Sequence, residues 1–260
     1  MEMNLNLRER TVLLVSPLTS VAQGLIQGLT QLGADIVIVH KDVSGMTRFC
    51  NSINDLREIN PKLGRAMALQ ADTLNKKEVK EVIAKAAQTF GGLDIYIDGQ
   101  MTQDLSPLVI QAQGDEEDGF EAQLQQNMVS PYYFTKNVLN YLKARKKGRI
   151  LYLQNDSLIR GKAEDALATL TRTGFIAFAQ SLSRQTVEFN VTVNVLSLGA
   201  TEEYLLKHFT ECTSIKEAQE KLRQTDPLFK ITEPEKVCGT IAYLISNLGA
   251  AVNGQLIRLT

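Results

Sequence analysis

The sequence predicts an α/β fold: a doubly wound, mainly parallel seven-stranded sheet with helices on both faces, formed by one domain over residues 1–260. Three observations lead there. Seven short apolar runs, rich in β-branched residues, recur along the chain. The segments between them repeat apolar side chains at helical spacing, and no linker-like stretch interrupts the alternation.

The first run, TVLLVS at 11–16, is apolar at successive positions, as a strand buried on both faces requires. Pro17 then breaks it, and Thr19 or Ser20 supplies a hydroxyl to cap a following helix. DIVIVH (35–40) and AMALQ (66–70) repeat the strand pattern. NKKEVKEVIAKAAQTF (75–90) is a clear amphipathic helix: Val79, Val82, Ile83 and Ala86 form one stripe, with lysines and glutamates opposite. LDIYI (93–97), RILYLQ (149–154), VTVNVL (191–196) and GQLIRL (254–259) complete the strands. The acidic run GDEEDGF (114–120) reads as a solvated helix start rather than a metal site, since no histidine accompanies it. Right-handed crossovers between such strands put ligands at their carboxyl ends, where the loops after the first and fourth strands meet.

Composition narrows the function. With 44% hydrophobic residues, 22% charged residues and a net charge of −1, the chain has core material but no basic excess, so nucleic acid is not an expected partner. Cys50, Cys212 and Cys238 show no CxxC spacing and suggest neither a disulfide framework nor a zinc site. No segment approaches the roughly 20 apolar residues that span a bilayer, and the N-terminus lacks a signal-type stretch. A soluble cytoplasmic protein is the expectation.

The order of segments resembles the short-chain dehydrogenase/reductase family from about residue 5 to 260. GADIVIVHKD (33–42), ALQADTLN (68–75), FGGLDIYIDGQ (90–100), QNMVSPYYFTKNVL (126–139), GRILYLQNDS (148–157), TGFIAFAQSLSRQ (173–185), NVTVNVLSLGATE (190–202) and GAAVNGQLIRLT (249–260) each stand at the family's place and spacing. The resemblance implies a Rossmann-like three-layer domain with strand order 3-2-1-4-5-6-7.

The family's functional positions are filled differently. Its TGxxxGxG turn falls on Ser16, Pro17, Val21 and Gln23, with Gly24 outside the register. Pro17 removes an N–H donor, and Val21 is expected to put two methyl groups where the phosphate or a tight helix–strand contact belongs. A helix N-terminus still attracts anions. The catalytic YxxxK pattern falls on Ala168 and Arg172, which leaves the arginine no phenol to activate, and the carbonyl-polarising serine falls on Asn155, with Gln154 before it. Asn127 matches the helix-bending asparagine, and the NNAG loop becomes Asp98, Gly99, Gln100 and Met101.

His40, with Lys41 beside it, leans toward the 2′-phosphate of NADP, and Asp72 is either the adenine-contacting aspartate or a helix cap. Leu198 and Gly199 replace the PG motif. Glu202, Tyr204, His208 and Cys212 stand where the family has its substrate lid, and read as surface or packing residues; Tyr152 and Lys162 flank the site.

These departures lead to the expectation of a non-catalytic binding, scaffold or regulatory subunit. The alternatives are a nucleotide or small-molecule sensor and a divergent NAD(P)-dependent oxidoreductase. No residue is assigned a catalytic, cofactor-binding or metal role, and neither NAD(H) nor NADP(H) is expected to bind with dehydrogenase affinity. Pairing through two long helices, at about 118–145 and 164–188, is implied by the resemblance. It would give a homodimer or homotetramer, or a mixed oligomer with an active relative. Leu167, Leu170, Gly174, Phe175, Phe178 and Leu182 recur along the second helix, and Ala168, Ile176, Ala177 and Ala179 extend its apolar surface beyond one stripe.

Overall fold

The computed structural model describes residues 5–100, 119–155, 166–202, 205, 212–225 and 231–259. Seven strands form one sheet in the order β3-β2-β1-β4-β5-β6-β7, with every neighbouring pair parallel. This is the expected α/β architecture. The strands are β1 (Thr11–Val15), β2 (Asp35–His40), β3 (Ala66–Gln70), β4 (Ile95–Asp98), β5 (Gly148–Asn155), β6 (Val191–Leu198) and β7 (Leu256–Leu259). The last begins two residues later than its run, because Gly254 turns the chain at φ 70°.

The consecutive apolar residues of the strands serve two layers. From β1, Val12 and Leu14 enter a core beneath α1 (Ser20–Gln31), α2 (Ser44–Ile59) and α8 (Pro234–Ile245). Leu13 and Val15 enter the opposite core, formed with α3 (Lys76–Phe90), α5 (Ser130–Arg145) and α6 (Ala166–Gln185). Each fully buried aliphatic side chain contributes about 1.5–3 kcal/mol, so a strand covered on both faces anchors the fold. The remaining helices are α4 (Gly119–Leu124) and α7 (Ile215–Thr225). No helix among the described residues is long and apolar enough to cross a membrane.

Local chemistry fixes the helix starts that border the crevice. Thr19 is the N-cap of α1, its Oγ1 accepting from Ala22 N at 3.2 Å. Gly24 lets α1 lie against α8, since a Cβ there would stand 2.6 Å from Pro234 Cβ. Asn75 caps α3 by accepting from Lys77 N and Glu78 N, and the stripe read from the sequence is buried. At the sheet edge, the Asn54 side chain donates to Ala66 O at 2.9 Å and accepts from Ala66 N at 3.0 Å, which covers part of the exposed β3 ladder.

Candidate functional site

Strand order reverses between β1 and β4, and their carboxyl ends form a crevice. The two turns touch there: Ser16 Oγ donates to Pro17 O at 2.8 Å and to Gly99 O at 3.3 Å, and a Cβ on Gly99 would lie 3.0 Å from Ser16 Oγ. The amino end of α1 faces this crevice with no acidic residue in its first turn. Val21 does not obstruct it. Only 3% exposed, its methyl groups belong to the core beneath α1, so of the two places expected for them they take the helix–strand contact and not the phosphate position. The turn at Pro17 closes with Thr19 N donating to Pro17 O at 2.9 Å. Thr19 N and Ala22 N are thereby taken up within the turn, and the amides of Ser20 and Val21 at the start of α1 are the groups of this turn that could meet an anion.

Deeper in the crevice a polar cluster hangs from β4. Tyr96 and Asp98, two residues apart, share one face of the strand, and the Tyr96 hydroxyl donates to Asp98 Oδ2 at 2.5 Å. Gln100 N donates to Asp98 Oδ1 at 3.1 Å, and Gln100 Nε2 donates to Ser130 Oγ at 3.0 Å. Gln126 Nε2 completes the chain by donating to Gln100 Oε1 at 2.6 Å. Asp98 is 4% exposed, and burial pushes its carboxyl up to about 6 although the hydrogen bonds from Tyr96 and Gln100 pull it down.

Asp98, Gln100, Asn127, Tyr152, Gln154 and Arg172 line a cavity of about 20 Å³, room for roughly one water-sized oxygen. The Gln154 Oε1 is buried and meets no donor among the described residues. Arg172, the residue at the family's lysine position, is 3% exposed. Asn127 lies in a π turn, Gln125–Val129, between α4 and α5, and its Nδ2 donates to Thr171 Oγ1 at 3.3 Å, tying that turn to α6. The turn is irregular, as expected around this asparagine, but the bond shown runs to a side chain on α6. Tyr152 is committed to packing: its hydroxyl shares a 2.7 Å hydrogen bond with Thr135 Oγ1, its ring meets Phe175 edge-on, and burial pushes its phenol upward.

The other residues singled out in the sequence scatter. Asn155 ends β5, and Ala168 lies on α6. His40 ends β2 half-buried, with Asp42 N donating to its Nδ1 at 3.2 Å, and Lys41 beside it is exposed. The stretch ADTLN does cap α3, through Asn75 and not Asp72, which forms the preceding turn by accepting from Leu74 N. Gly199 N donates to Leu259 O, Glu202 is exposed and Cys212 half-buried. Met101, residues 114–118, Lys162, Tyr204 and His208 lie outside the described residues.

Sequence reasoning mentioned Asp98 and Gln100 only as loop replacements and passed over Tyr96, Gln126 and Ser130. The available signal was a tyrosine and an aspartate at i and i+2 in the otherwise apolar run IYID.

A family model described as enoyl-(acyl carrier protein) reductase matches residues 17–259. The chain belongs to the short-chain dehydrogenase/reductase family. It is 22% identical over 249 residues to galactitol 2-dehydrogenase of Agrobacterium fabrum, covering 93% of this chain and 92% of that protein. It is likewise 22% identical over 256 residues to a 3-oxoacyl-acyl-carrier-protein reductase of Vibrio cholerae, covering 98% and 97%. Among solved structures, an NAD+-bound xylitol dehydrogenase shares the fold at TM-score 0.83 and 16% identity, over 97% of this chain and 98% of that one. A short-chain dehydrogenase from Burkholderia cenocepacia in complex with NADP does so at 0.78 and 19%, over 98% and 97%.

These findings correct the expectation of a non-catalytic binding, scaffold or regulatory subunit. The relatives align over nearly the whole chain and bear the names of oxidoreductases, and the short-chain dehydrogenase/reductase family is enzymatic. The expectation failed because it compared each motif position with the family's own residue there and not with the neighbours that folding brings to it. A buried site also draws polar groups from neighbouring strand ends, and here Asp98, Gln100 and Gln154 surround the cavity beside Arg172.

Proposed function

We propose that the protein is a divergent NAD(P)-dependent oxidoreductase that interconverts a carbonyl and an alcohol at the carboxyl ends of β4 and β5. The observation that carries this reading is the buried Asp98 carboxyl, pushed up to about 6 at a cavity sized for one oxygen atom and shared with Arg172. The named activities of the relatives support the reaction class. The seven-stranded sheet supports treating 1–260 as one domain.

The dinucleotide, when bound, supplies or takes up the hydride. The amino end of α1 would hold its pyrophosphate, and His40 with Lys41 would favour a 2′-phosphate, hence NADP(H). In place of the family's phenol, Asp98 holds a proton at a carboxyl oxygen and lends it to the reacting oxygen in the cavity. The Tyr96 hydroxyl and Gln100 N–H stabilise the carboxylate left behind. The Arg172 guanidinium opposes negative charge on the reacting oxygen. Gln154 Oε1 accepts from the hydroxyl of the alcohol. Assembly as a homodimer or homotetramer through α5 and α6 belongs to the same proposal, with a mixed oligomer with a relative as the alternative. Tyr132 and Leu170, exposed at 46% and 58%, support it as apolar surface on those helices.

The test is calorimetric titration with NADPH and NADH, followed by nicotinamide absorbance in the presence of carbonyl substrates. Micromolar binding, tighter for NADPH, is expected, with turnover that Asp98→Asn removes while binding persists. Failure of both dinucleotides to bind overturns the reading.

A further inference from the structure

At the other, amino-terminal edge of the sheet, two arginines pair with one carboxylate, and a lysine and a third arginine stand nearby at the start of β5. Asp94 stands just before β4 with its side chain 5% exposed. Its Oδ2 accepts from Thr11 N at 3.0 Å, its Oδ1 accepts from Arg145 Nη1 at 2.8 Å, and Arg10 Nη1 stands 3.6 Å from Oδ1. This carboxylate is well occupied. Arg149, the second residue of β5, is 5% exposed; its Nη1 donates to Gly148 O at 2.7 Å, and its buried Nε meets no acceptor among the described residues.

Lys147 lies beside it, half-buried. Burial, and then the charges of Arg10 and Arg149, push the Lys147 ammonium below its ordinary value. Burial and Arg10 do the same to the Arg149 guanidinium. Among the described residues, Asp94 is the only carboxylate paired with this group.

A guanidinium removed from water beside like charges is unfavourable unless an anion joins it. The β1–β4–β5 pairing brings Arg10, Lys147 and Arg149 to one edge; Arg10 Nη2 also donates to Asn247 Oδ1 at 3.1 Å, and the donors of the three suit oxyanion geometry: planar forks from the arginines and a point charge from the lysine. We propose that this edge, between Arg10, Lys147 and Arg149, binds a tetrahedral oxyanion: phosphate, either free or as the terminal group of a small ester. The eight residues of β5 separate it by roughly 25 Å from the crevice, so its occupancy does not compete with a dinucleotide there.

The test uses the full chain without dinucleotide. Its thermal midpoint is followed against inorganic phosphate, with chloride at matched ionic strength as control, and calorimetry gives the affinity. A saturable rise is expected for the native chain. Lys147→Gln should weaken the half-saturating concentration about tenfold or more, and Arg149→Met should abolish the response. In chloride alone Lys147→Gln should melt no lower than the native chain, because it removes repulsion, and this keeps the test open even if Arg149→Met folds poorly. Glycerol phosphate run in parallel separates the sources: a response to both means a site open to esters, and a response to phosphate alone means a site closed over the free ion. A rise without saturation overturns the proposal. So does a phosphate response that Lys147→Gln leaves unchanged, which would place the anion elsewhere, for instance at the amino end of α1.

Discussion

Replacing Asp98 by asparagine is expected to inactivate the enzyme and, above neutral pH, to stabilise it. An exposed aspartate titrates near 3.8, and burial carries this one to about 6. A carboxyl whose folded value exceeds its unfolded one holds its proton more tightly in the native state. Its contribution to stability is therefore complete below about pH 4 and is lost as pH rises through about 6. Over that interval the loss comes to about 3 kcal/mol. Asparagine keeps the shape and one acceptor oxygen for Tyr96 or the Gln100 amide but gives up the other, at a cost of about 1–2 kcal/mol. The variant should thus be less stable than the native chain near pH 4 and more stable by about 1–2 kcal/mol near pH 8. Urea unfolding of both proteins across this range, read by circular dichroism, gives the difference curve, in which every other titrating group cancels. A difference independent of pH would refute the reasoning. One that turns against the variant as pH rises would show that the site stabilises the carboxylate, and Asp98 would then be a poor proton donor.

Gly24→Ala should lower stability by about 1–2 kcal/mol, because the new Cβ meets the rigid Pro234 ring while helix propensity returns less than the clash takes; an unchanged denaturation midpoint would show that α1 and α8 are not in close contact. Asn54→Ala should cost about 1–3 kcal/mol by stripping the partners from Ala66 N–H and C=O, and turbidity on warming should rise as the β3 edge is uncovered. Light scattering of the native chain should give a multiple of 28.8 kDa, and Leu170→Glu should reduce the mass toward 28.8 kDa with helical signal intact. Leu170 is a cleaner probe than Ile176, which packs half-buried against the core and would confuse dissociation with unfolding.

The fold was legible because its signals are local and redundant. Runs such as DIVIVH are too short for a buried helix and too evenly apolar for a half-exposed strand, so they announce a parallel sheet covered on both sides. The helix over 75–90 declares its buried stripe and, with Asn75, its cap. Boundaries were less legible where a turn decides them. β7 starts after a glycine whose positive φ no periodicity reports, and β5 and β6 run on past their apolar segments because hydrogen bonding to a neighbour continues through Asn155 and Leu198.

The site was read less well because its parts are defined by direction rather than by sequence position. At Val21 the pattern gives residue type, yet whether the methyl groups meet an anion or the core depends on the helix phase set by Thr19 as cap. Asp98 looks like a turn residue in DGQ. Its carboxyl is pushed up to about 6 by burial, against the pull of the Tyr96 and Gln100 hydrogen bonds, where α5 packs over the strand end and brings Ser130 and Phe134 within reach through Gln100 and the Tyr96 ring. The amino edge makes the same point with opposite charge. KARKKGR at 143–149 is an ordinary solvated run on the page, and it acquires meaning when the β1–β4–β5 pairing brings Arg10 and Asp94 beside it. One end of the sheet then gathers a carboxyl with a raised titration point, and the other gathers Arg10, Arg145, Lys147 and Arg149 around Asp94. Both arise where strand ends that are distant in sequence are forced together, which is why neither cluster shows as a run in the sequence.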